Sequence, residues 1–358
     1  MAISEDIKPS FFSFSNTERC QSRCITCPAW KTPWEVEKDE LSTQQWKDTI
    51  KSIHDWVGDF KFIFSGGEPF IRDDIFEIAQ YAKDLGVTVD VVTNGLALVD
   101  KCEQLVDSAF STIIFSLNSV KDPELHNISR GRKDSFKKTM DVIQKVNYLN
   151  KKKGAQKGIS LSSVVMPSNL DEIKPLAEFA KNEGIGVCYQ LLDNGDAFSP
   201  PPEVNLDDGG FSTQITDKAI LAIDEMLELK NQGYPIYNGD PQLKAFKQLM
   251  FDMKEAAVQL EASPEIQCET NISENCQCNC SDENNVTHIA DLECQVGFHN
   301  FAINPYGEVR LCFCMGAIGS LKEDAPENIW RSDKADRIRE AIKKCPKSCK
   351  LLNCNFKE

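Results

Sequence analysis

Between residues 11 and 191 short apolar runs alternate with stretches whose apolar positions recur every three or four residues. Phe11-Phe12-Ser13-Phe14 predicts a first strand. Ser42 or Thr43 is placed to cap a helix whose apolar positions, Trp46, Ile50, Ile53 and Val57, share one face. A second strand is expected at 61–64. Asp73 and Asp74 open the next helix, with Ile75, Ile78, Ala79 and Ala82 on one side and Gly86 placed to end it. Further strands are expected at 87–92, 112–117, 159–165 and 185–191. Phe136, Met140 and Ile143 mark one more helix. Ile173, Leu176, Ala177 and Ala180 mark another, stopped by Gly184. Six β/α units in succession predict an α/β fold, a parallel sheet with helices outside it. Six units fall short of the eight that close a TIM-like barrel, so the expectation is a partial (β/α)6 barrel. Such sheets place ligand sites at the carboxyl ends of their strands.

The pattern changes after residue 192. Residues 193–210 are rich in Asp, Gly and Pro, including Pro200-Pro201-Pro202, and predict a boundary or a lid loop. Helical patterns follow at 215–232 and 241–260. Residues 263–290 are polar, Cys-rich and without periodicity, and a compact Cys-rich module runs from Asp291 to the end. The expected division is a barrel over 1–198, a helical and Cys-rich linker over 199–290, and a small C-terminal domain over 291–358. An apolar share of 41% and a charged share of 27% fit a globular chain. The net charge of −15 disfavours nucleic acid and anionic membranes as partners, Arg130-Gly-Arg132-Lys133 being a local exception. The start, with Glu5 and Asp6, lacks the basic and apolar regions of a signal peptide. No stretch approaches the roughly 20 apolar residues of a membrane span. A cytoplasmic location is expected.

Fifteen cysteines are many for such a chain, and in a reducing compartment clustered thiols bind metal or do redox work. Three fall at 20–27 and ten between Cys268 and Cys354. Cys102 and Cys188 lie apart in apolar segments and are expected to be core fillers. Cys20-x3-Cys24-x2-Cys27 follows the first strand. Three thiolates on one loop can grip three irons of a cubane and leave the fourth open to a reactive ligand. A zinc knuckle is the alternative, weakened because no His or Cys stands nearby to complete a tetrahedron.

This spacing resembles the signature of the radical S-adenosylmethionine (radical SAM) superfamily. The resemblance implies that the amino and carboxylate groups of S-adenosylmethionine chelate the open iron. One electron then cleaves it to methionine and a 5′-deoxyadenosyl radical, which abstracts hydrogen from a substrate. Other motifs agree. Ser65-Gly66-Gly67-Glu68-Pro69 follows the second strand, where the family binds the methionyl amino group; two glycines permit close backbone approach and Glu68 can accept from an ammonium. Thr93-Asn94-Gly95 follows the third strand. Ser116-Leu117-Asn118 ends the fourth, where the family commonly has Ser-x-Asp with the Ser near the ribose; Asn118 departs from that pattern. His126 to Gly131 resembles the family's His-x-x-x-Arg-Gly stretch, which points Arg130 at the S-adenosylmethionine carboxylate, with a surface ion pair as the alternative.

In the tail, Cys294-x12-Gly307-x4-Cys312 precedes Cys345-x3-Cys349-x4-Cys354, with a hairpin turn expected at Asn304-Pro305-Tyr306-Gly307. The segment resembles the auxiliary-cluster module called SPASM, or its one-cluster form, Twitch; Asn328-Ile329-Trp330-Arg331-Ser332 matches its usual run. The resemblance implies at least one auxiliary Fe–S cluster held by Cys294, Cys312 and two of Cys345, Cys349 and Cys354. Cys314 is an alternative ligand, and a zinc ribbon an alternative site. Cys268, Cys276, Cys278 and Cys280 have no firm assignment. The expected reaction is oxidation or crosslinking of a ribosomally made peptide or protein. A small-molecule dehydrogenase or cofactor-biosynthesis enzyme is the alternative, and a non-catalytic zinc protein a remote one. Only 19 residues precede Cys20, too few for the leader-binding domain of many peptide maturases, which leaves 200–290 for that purpose. A low-potential electron donor such as flavodoxin or ferredoxin is expected. Asp193, Asp196 and Tyr189, near the end of the sixth strand, are geometric candidates for an acid or base.

Overall fold

The computed structural model describes residues 7–27, 30, 40–192, 213–262 and 294–345. β1 (Phe11–Thr17), β2 (Lys61–Gly66), β3 (Thr88–Thr93), β4 (Thr112–Ser116), β5 (Gly158–Val165) and β6 (Gly186–Leu191) lie side by side in sequence order, every pair parallel. α1 (Thr43–Val57), α2 (Ile75–Asp84), α3 (Cys102–Asp107), α4 (Pro123–Arg130), α5 (Ser135–Lys153) and α6 (Ile173–Glu183) fill the connections. This is the partial barrel that the six-unit pattern predicts. At α1 the chain makes a capping box. Ser42 Oγ accepts from Gln45 N–H and Gln45 Oε1 from Ser42 N–H, which fixes the helix start while Trp46, Ile50 and Ile53 are buried beneath it.

Two helices of the barrel were not anticipated. α3 is too short to display a period. α4 hides its burial in polar residues: His126, Asn127, Ser129 and Arg130 face inward, so an apolar stripe is absent. Asp122 caps it, accepting from Glu124 N–H and Leu125 N–H.

Strand alternation sorts the two faces of the sheet. Phe12, Phe14, Phe62, Phe64, Val89, Val91, Ile113 and Phe115 are buried against the helices, with Phe14 and Phe62 stacked at 4.4 Å between ring centroids. The opposite face is the more polar one. Ser13 and Ser65 lie 3.3 Å apart there, and Ser116, Ser162 and Cys188 fall in one register row. Cys102 is the core filler expected of it, 1% exposed with its thiol donating to Leu98 O. Cys188 is not: strand register puts it on the polar face, half-buried. Tyr189 points the other way, fully buried, and its hydroxyl donates to Ile173 O at 2.6 Å. It belongs to the core beneath α6 and is no acid or base at the mouth. Asp193 and Asp196 lie outside the described residues.

α7 (Thr213–Asn231) and α8 (Asp240–Ala262) pack as a pair, α7 against α6. Their connection covers the β6 edge. Tyr237 N–H donates to Val187 O, Val187 N–H to Pro235 O, and the Asn238 amide bonds both backbone groups of Tyr189.

The C-terminal module, α9 (Val296–His299), β7 (Asn300–Ile303), β8 (Glu308–Arg310), β9 (Gly319–Ser320), α10 (Pro326–Trp330) and α11 (Asp333–Lys343), continues the same sheet. β7 pairs parallel with β1, and β8 and β9 follow antiparallel, giving nine strands in the order β6-β5-β4-β3-β2-β1-β7-β8-β9. The β7–β8 turn is the expected hairpin, with Gly307 at φ 88°. Trp330, fully buried, packs on Phe301 and on Trp56 of α1, so barrel and module share apolar core. No helix among the described residues is long and apolar enough to cross a membrane.

Candidate active site

The loop after β1 carries Cys20, Cys24 and Cys27 across the carboxyl ends of β2, β3 and β4. Backbone bonds clamp it from two sides. On one, Gly67 N–H donates to Thr17 O and Glu68 N–H to Arg19 O, both at 2.8 Å. A Cβ at Gly67 would stand 2.1 Å from Arg19 O, so only glycine permits this approach. On the other, Arg23 N–H donates to Arg130 O and Ile25 N–H to Ser129 O, at the end of α4. There a Cβ on Gly131 would stand 2.3 Å from Arg23 O. Glu40 holds the root of the loop: its carboxylate accepts from Thr17 Oγ1 at 2.7 Å and Glu18 N–H at 3.2 Å, beside Arg19 and Arg72.

Cys20, Cys24 and Cys27 line one cavity of about 150 Å³, open to solvent, together with Ser65, Gly66, Gly67, Thr93, Asn94, Ser116 and Arg130. Ten of the residues expected from sequence thus converge. Ser22, Thr26, Trp30 and Val92 also line it. Three of these four sit inside or just after the cysteine motif, which was the available signal. Trp30 is fixed by its indole N–H, which donates to Cys24 O at 3.1 Å, and by the Arg23 guanidinium 5.4 Å from its ring.

Glu68, Pro69 and Asn118 stand behind the cavity wall. Glu68 is fully buried. Its carboxylate accepts from Thr93 Oγ1 at 2.7 Å, Asn94 N–H at 2.8 Å and Phe70 N–H at 3.3 Å. Burial pushes its pKa up to about 7 against the opposing pull of those donors. It welds the β2 loop to the β3 loop and so presents Asn94. Pro69 begins the short turn that follows, buried. Asn118 is a buried connector: Nδ2 donates to Ser129 Oγ, Oδ1 accepts from Val164 N–H, and its backbone N–H donates to His126 Nδ1. Burial, then the Arg130 charge, depresses His126 to about 2, so the imidazole is neutral and serves as an acceptor there.

The donor set fits an iron–sulfur cluster. Burial pushes the Cys20 thiol up to about 12, so nothing in the protein alone ionises it; bound iron, by its charge, does. Three N–H groups already point at the sulfurs: Ser22 N–H stands 3.4 Å and Asn94 Nδ2 3.7 Å from Cys20 Sγ, and Arg130 Nη1 3.8 Å from Cys24 Sγ. Hydrogen bonds of this kind tune clusters. Among the described residues no three His, Cys, Asp or Glu side chains are drawn together as a ready site for a metal ion; a cubane offers each thiolate its own iron. Arg130, 9% exposed, makes no ion pair among the described residues. Its Nη2 stands 3.4 Å from Asn118 Oδ1, and its Nε is buried without a hydrogen-bond partner. A guanidinium on the cavity wall fits a carboxylate ligand.

In the module, Cys294, Cys312 and Cys345 are described and half-buried, with Cys314 two residues from Cys312. Cys349, Cys354, Cys268, Cys276, Cys278 and Cys280 lie outside the described residues.

Comparison with known proteins agrees with this geometry. The radical SAM superfamily model matches residues 15–180, and the iron–sulfur cluster-binding SPASM model matches residues 294–355. The AdoMet-dependent heme synthase of Methanosarcina barkeri is 29% identical over 204 residues, 54% of this chain and 55% of that protein. The chain spans about half the length of the curated relatives it matches. Streptococcus suis SuiB bound to precursor peptide SuiA superposes with a TM-score of 0.63 at 14% identity, covering 92% of this chain and 66% of that one. Native anSMEcpe with AdoMet and the Cp18Cys peptide superposes at 0.60 and 16% identity, covering 97% and 86%. These likenesses establish the shared fold. The motifs, the partial barrel and both domain matches agree: the chain carries a radical SAM domain over residues 15–180 and, behind that barrel, a SPASM iron–sulfur domain over residues 294–355.

Proposed function

We propose that this protein binds S-adenosylmethionine over a 4Fe–4S cluster held by Cys20, Cys24 and Cys27 and acts on a ribosomally made peptide or protein by oxidation or crosslinking. The observation that carries the proposal is the convergence of those cysteines with Gly66, Gly67, Asn94, Ser116 and Arg130 in one cavity at the strand ends. Bound there, the cluster and S-adenosylmethionine supply a reductive cleavage whose carbon radical removes a hydrogen atom from substrate. The chain's own residues position that chemistry. Gly66 and Gly67 let the ligand lie on bare backbone, and Ser65 and Ser116 offer hydroxyls on the polar face. Arg130 offers its guanidinium to the ligand carboxylate, while Glu68 keeps Asn94 in place from behind. Trp30 walls one side and limits water.

A peptide substrate is supported by the fold-wide likeness to SuiB and anSMEcpe, both described with bound peptides. The likeness to a heme synthase favours a second reading, a small-molecule substrate in cofactor biosynthesis. A low-potential donor such as flavodoxin or ferredoxin supplies the electron in either case. Anaerobically reconstituted protein is given S-adenosylmethionine, a reductant, and peptides encoded beside its gene. Release of 5′-deoxyadenosine with a matching mass loss on one peptide supports the proposal. Turnover on a tetrapyrrole or nucleotide with every peptide unchanged replaces it with the second reading. No 5′-deoxyadenosine under any condition removes both.

A further inference from the structure

Three elements of the C-terminal module bring cysteines together. Cys294 sits just ahead of α9 and Cys345 just after α11. These ends are locked: Arg339 Nε donates to Gly297 O at 3.0 Å, and a Cβ on Gly297 would stand 3.1 Å from Ile342. Cys312 leaves β8 beside them, where Asn300 Nδ2 donates to Leu311 O at 2.8 Å. The chain then reverses. Met315 N–H donates to Cys312 O at 3.3 Å, and Cys314 N–H reaches Cys312 Sγ at 3.4 Å. Ile318 N–H, donating to Val309 O at 2.7 Å, closes the loop at its far end. Phe313 is 45% exposed, while the cysteines on either side of it are half-buried. Cys312 and Cys314 therefore turn toward the protein together.

We propose that Cys314 is the fourth thiolate of the auxiliary cluster, completing a set with Cys294, Cys312 and Cys345 that needs neither Cys349 nor Cys354. The inference rests on the iron–sulfur reading of this module. Cys314, Cys294 and Cys345 all lie within electrostatic reach of the Cys312 thiol. On ligation each thiol releases its proton to solvent, and the iron charge stabilises the four thiolates. The pair two residues apart would occupy two corners of the cubane, with the α9 and α11 ends holding the other two.

The test uses the full chain with Cys20, Cys24 and Cys27 replaced by alanine, so that iron at the first site does not count. Into this parent go Cys314→Ala, Cys314→Ser, and Cys349→Ala with Cys354→Ala. Iron, sulfide and the electron paramagnetic resonance of the reduced protein are measured after anaerobic reconstitution. Cys314→Ala is expected to lose about four irons per chain relative to the parent. Cys314→Ser, keeping the shape and an oxygen ligand, is expected to retain iron with a shifted resonance. The Cys349/Cys354 variant is expected to match the parent. Full iron and an unshifted resonance in Cys314→Ala, or loss of the cluster in the Cys349/Cys354 variant, overturns the assignment. A parent with no iron overturns the iron–sulfur reading of the module itself, a different result.

Discussion

Replacing Gly67 with alanine drives a methyl group into the backbone of the cysteine loop. The new Cβ would lie 2.1 Å from Arg19 O and 2.7 Å from two carbonyl carbons, where 3.4 Å is ordinary contact. The loop must retreat by roughly an ångström, because the β2 side is fixed by the sheet and by buried Glu68. Retreat breaks two bonds, Gly67 N–H to Thr17 O and Glu68 N–H to Arg19 O, each worth about 1 kcal/mol. Residual crowding adds about 1–3 kcal/mol. A total of about 3–5 kcal/mol falls on the state in which Cys20 faces Gly66 and Asn94, which weakens S-adenosylmethionine binding by roughly a hundredfold or more. Gly131→Ala pushes the same loop from its other flank and is expected to act in the same direction. Gly316→Ala is the control, since nothing lies within 4 Å of a Cβ there. Iron content after anaerobic reconstitution and equilibrium binding of S-adenosylmethionine report the effect. Full iron and unchanged affinity in Gly67→Ala would refute the claim that this contact sets the loop.

Arg130→Lys keeps the charge but loses the planar fork; S-adenosylmethionine affinity is expected to fall about tenfold, a loss of roughly 1.4 kcal/mol, measured by titration calorimetry. His126, held neutral in the fold, binds its proton in the unfolded chain below its ordinary pKa of about 6.5, so stability is full above that pH and lost as pH falls through it. Urea unfolding of apo-protein at pH 7.5 and 5.5 should show wild type losing about 1.4 kcal/mol more than His126→Gln; parallel losses would contradict the assignment. Trp330→Ala should cost about 3–5 kcal/mol, because the ring is wholly buried between Phe301, Trp56 and the Arg339 guanidinium. Tyr306→Phe, which removes only the hydroxyl bond to Glu18 at 2.9 Å, should cost about 1 kcal/mol, so thermal melts of the two rank apolar burial above the polar link between module and barrel.

The barrel was legible because its strands are apolar on one face and its longer helices carry stripes at helical spacing, as Trp46, Ile50 and Ile53 do. α4 was not, since what it buries is polar and each of those groups finds a partner or the cavity. The cysteines, the paired glycines, Asn94, Ser116 and Arg130 were legible as motifs at strand ends. Their division into cavity wall and support was not. Glu68 and Asn118 look alike in sequence to residues that meet a ligand, but three donors surround the one and two strands and a helix enclose the other. Glu40 carried no signal, because its partners are 17 to 19 and 72 and only the fold joins them. Cys188 and Tyr189 show the limit from the other side: adjacent residues on a strand go to opposite faces, so Cys188, expected as a core filler, lies on the polar face, and Tyr189, a candidate acid or base at the mouth, lies in the core.

The most direct test is to measure iron, sulfide and 5′-deoxyadenosine release on the anaerobically reconstituted chain beside its Cys20/Cys24/Cys27→Ala variant. The expected result is about four irons fewer in the variant and complete loss of S-adenosylmethionine cleavage, with the remaining iron held by the SPASM domain. Equal iron in both proteins, or cleavage that survives the triple substitution, would contradict the assignment of these three cysteines as the ligands of the radical-generating cluster.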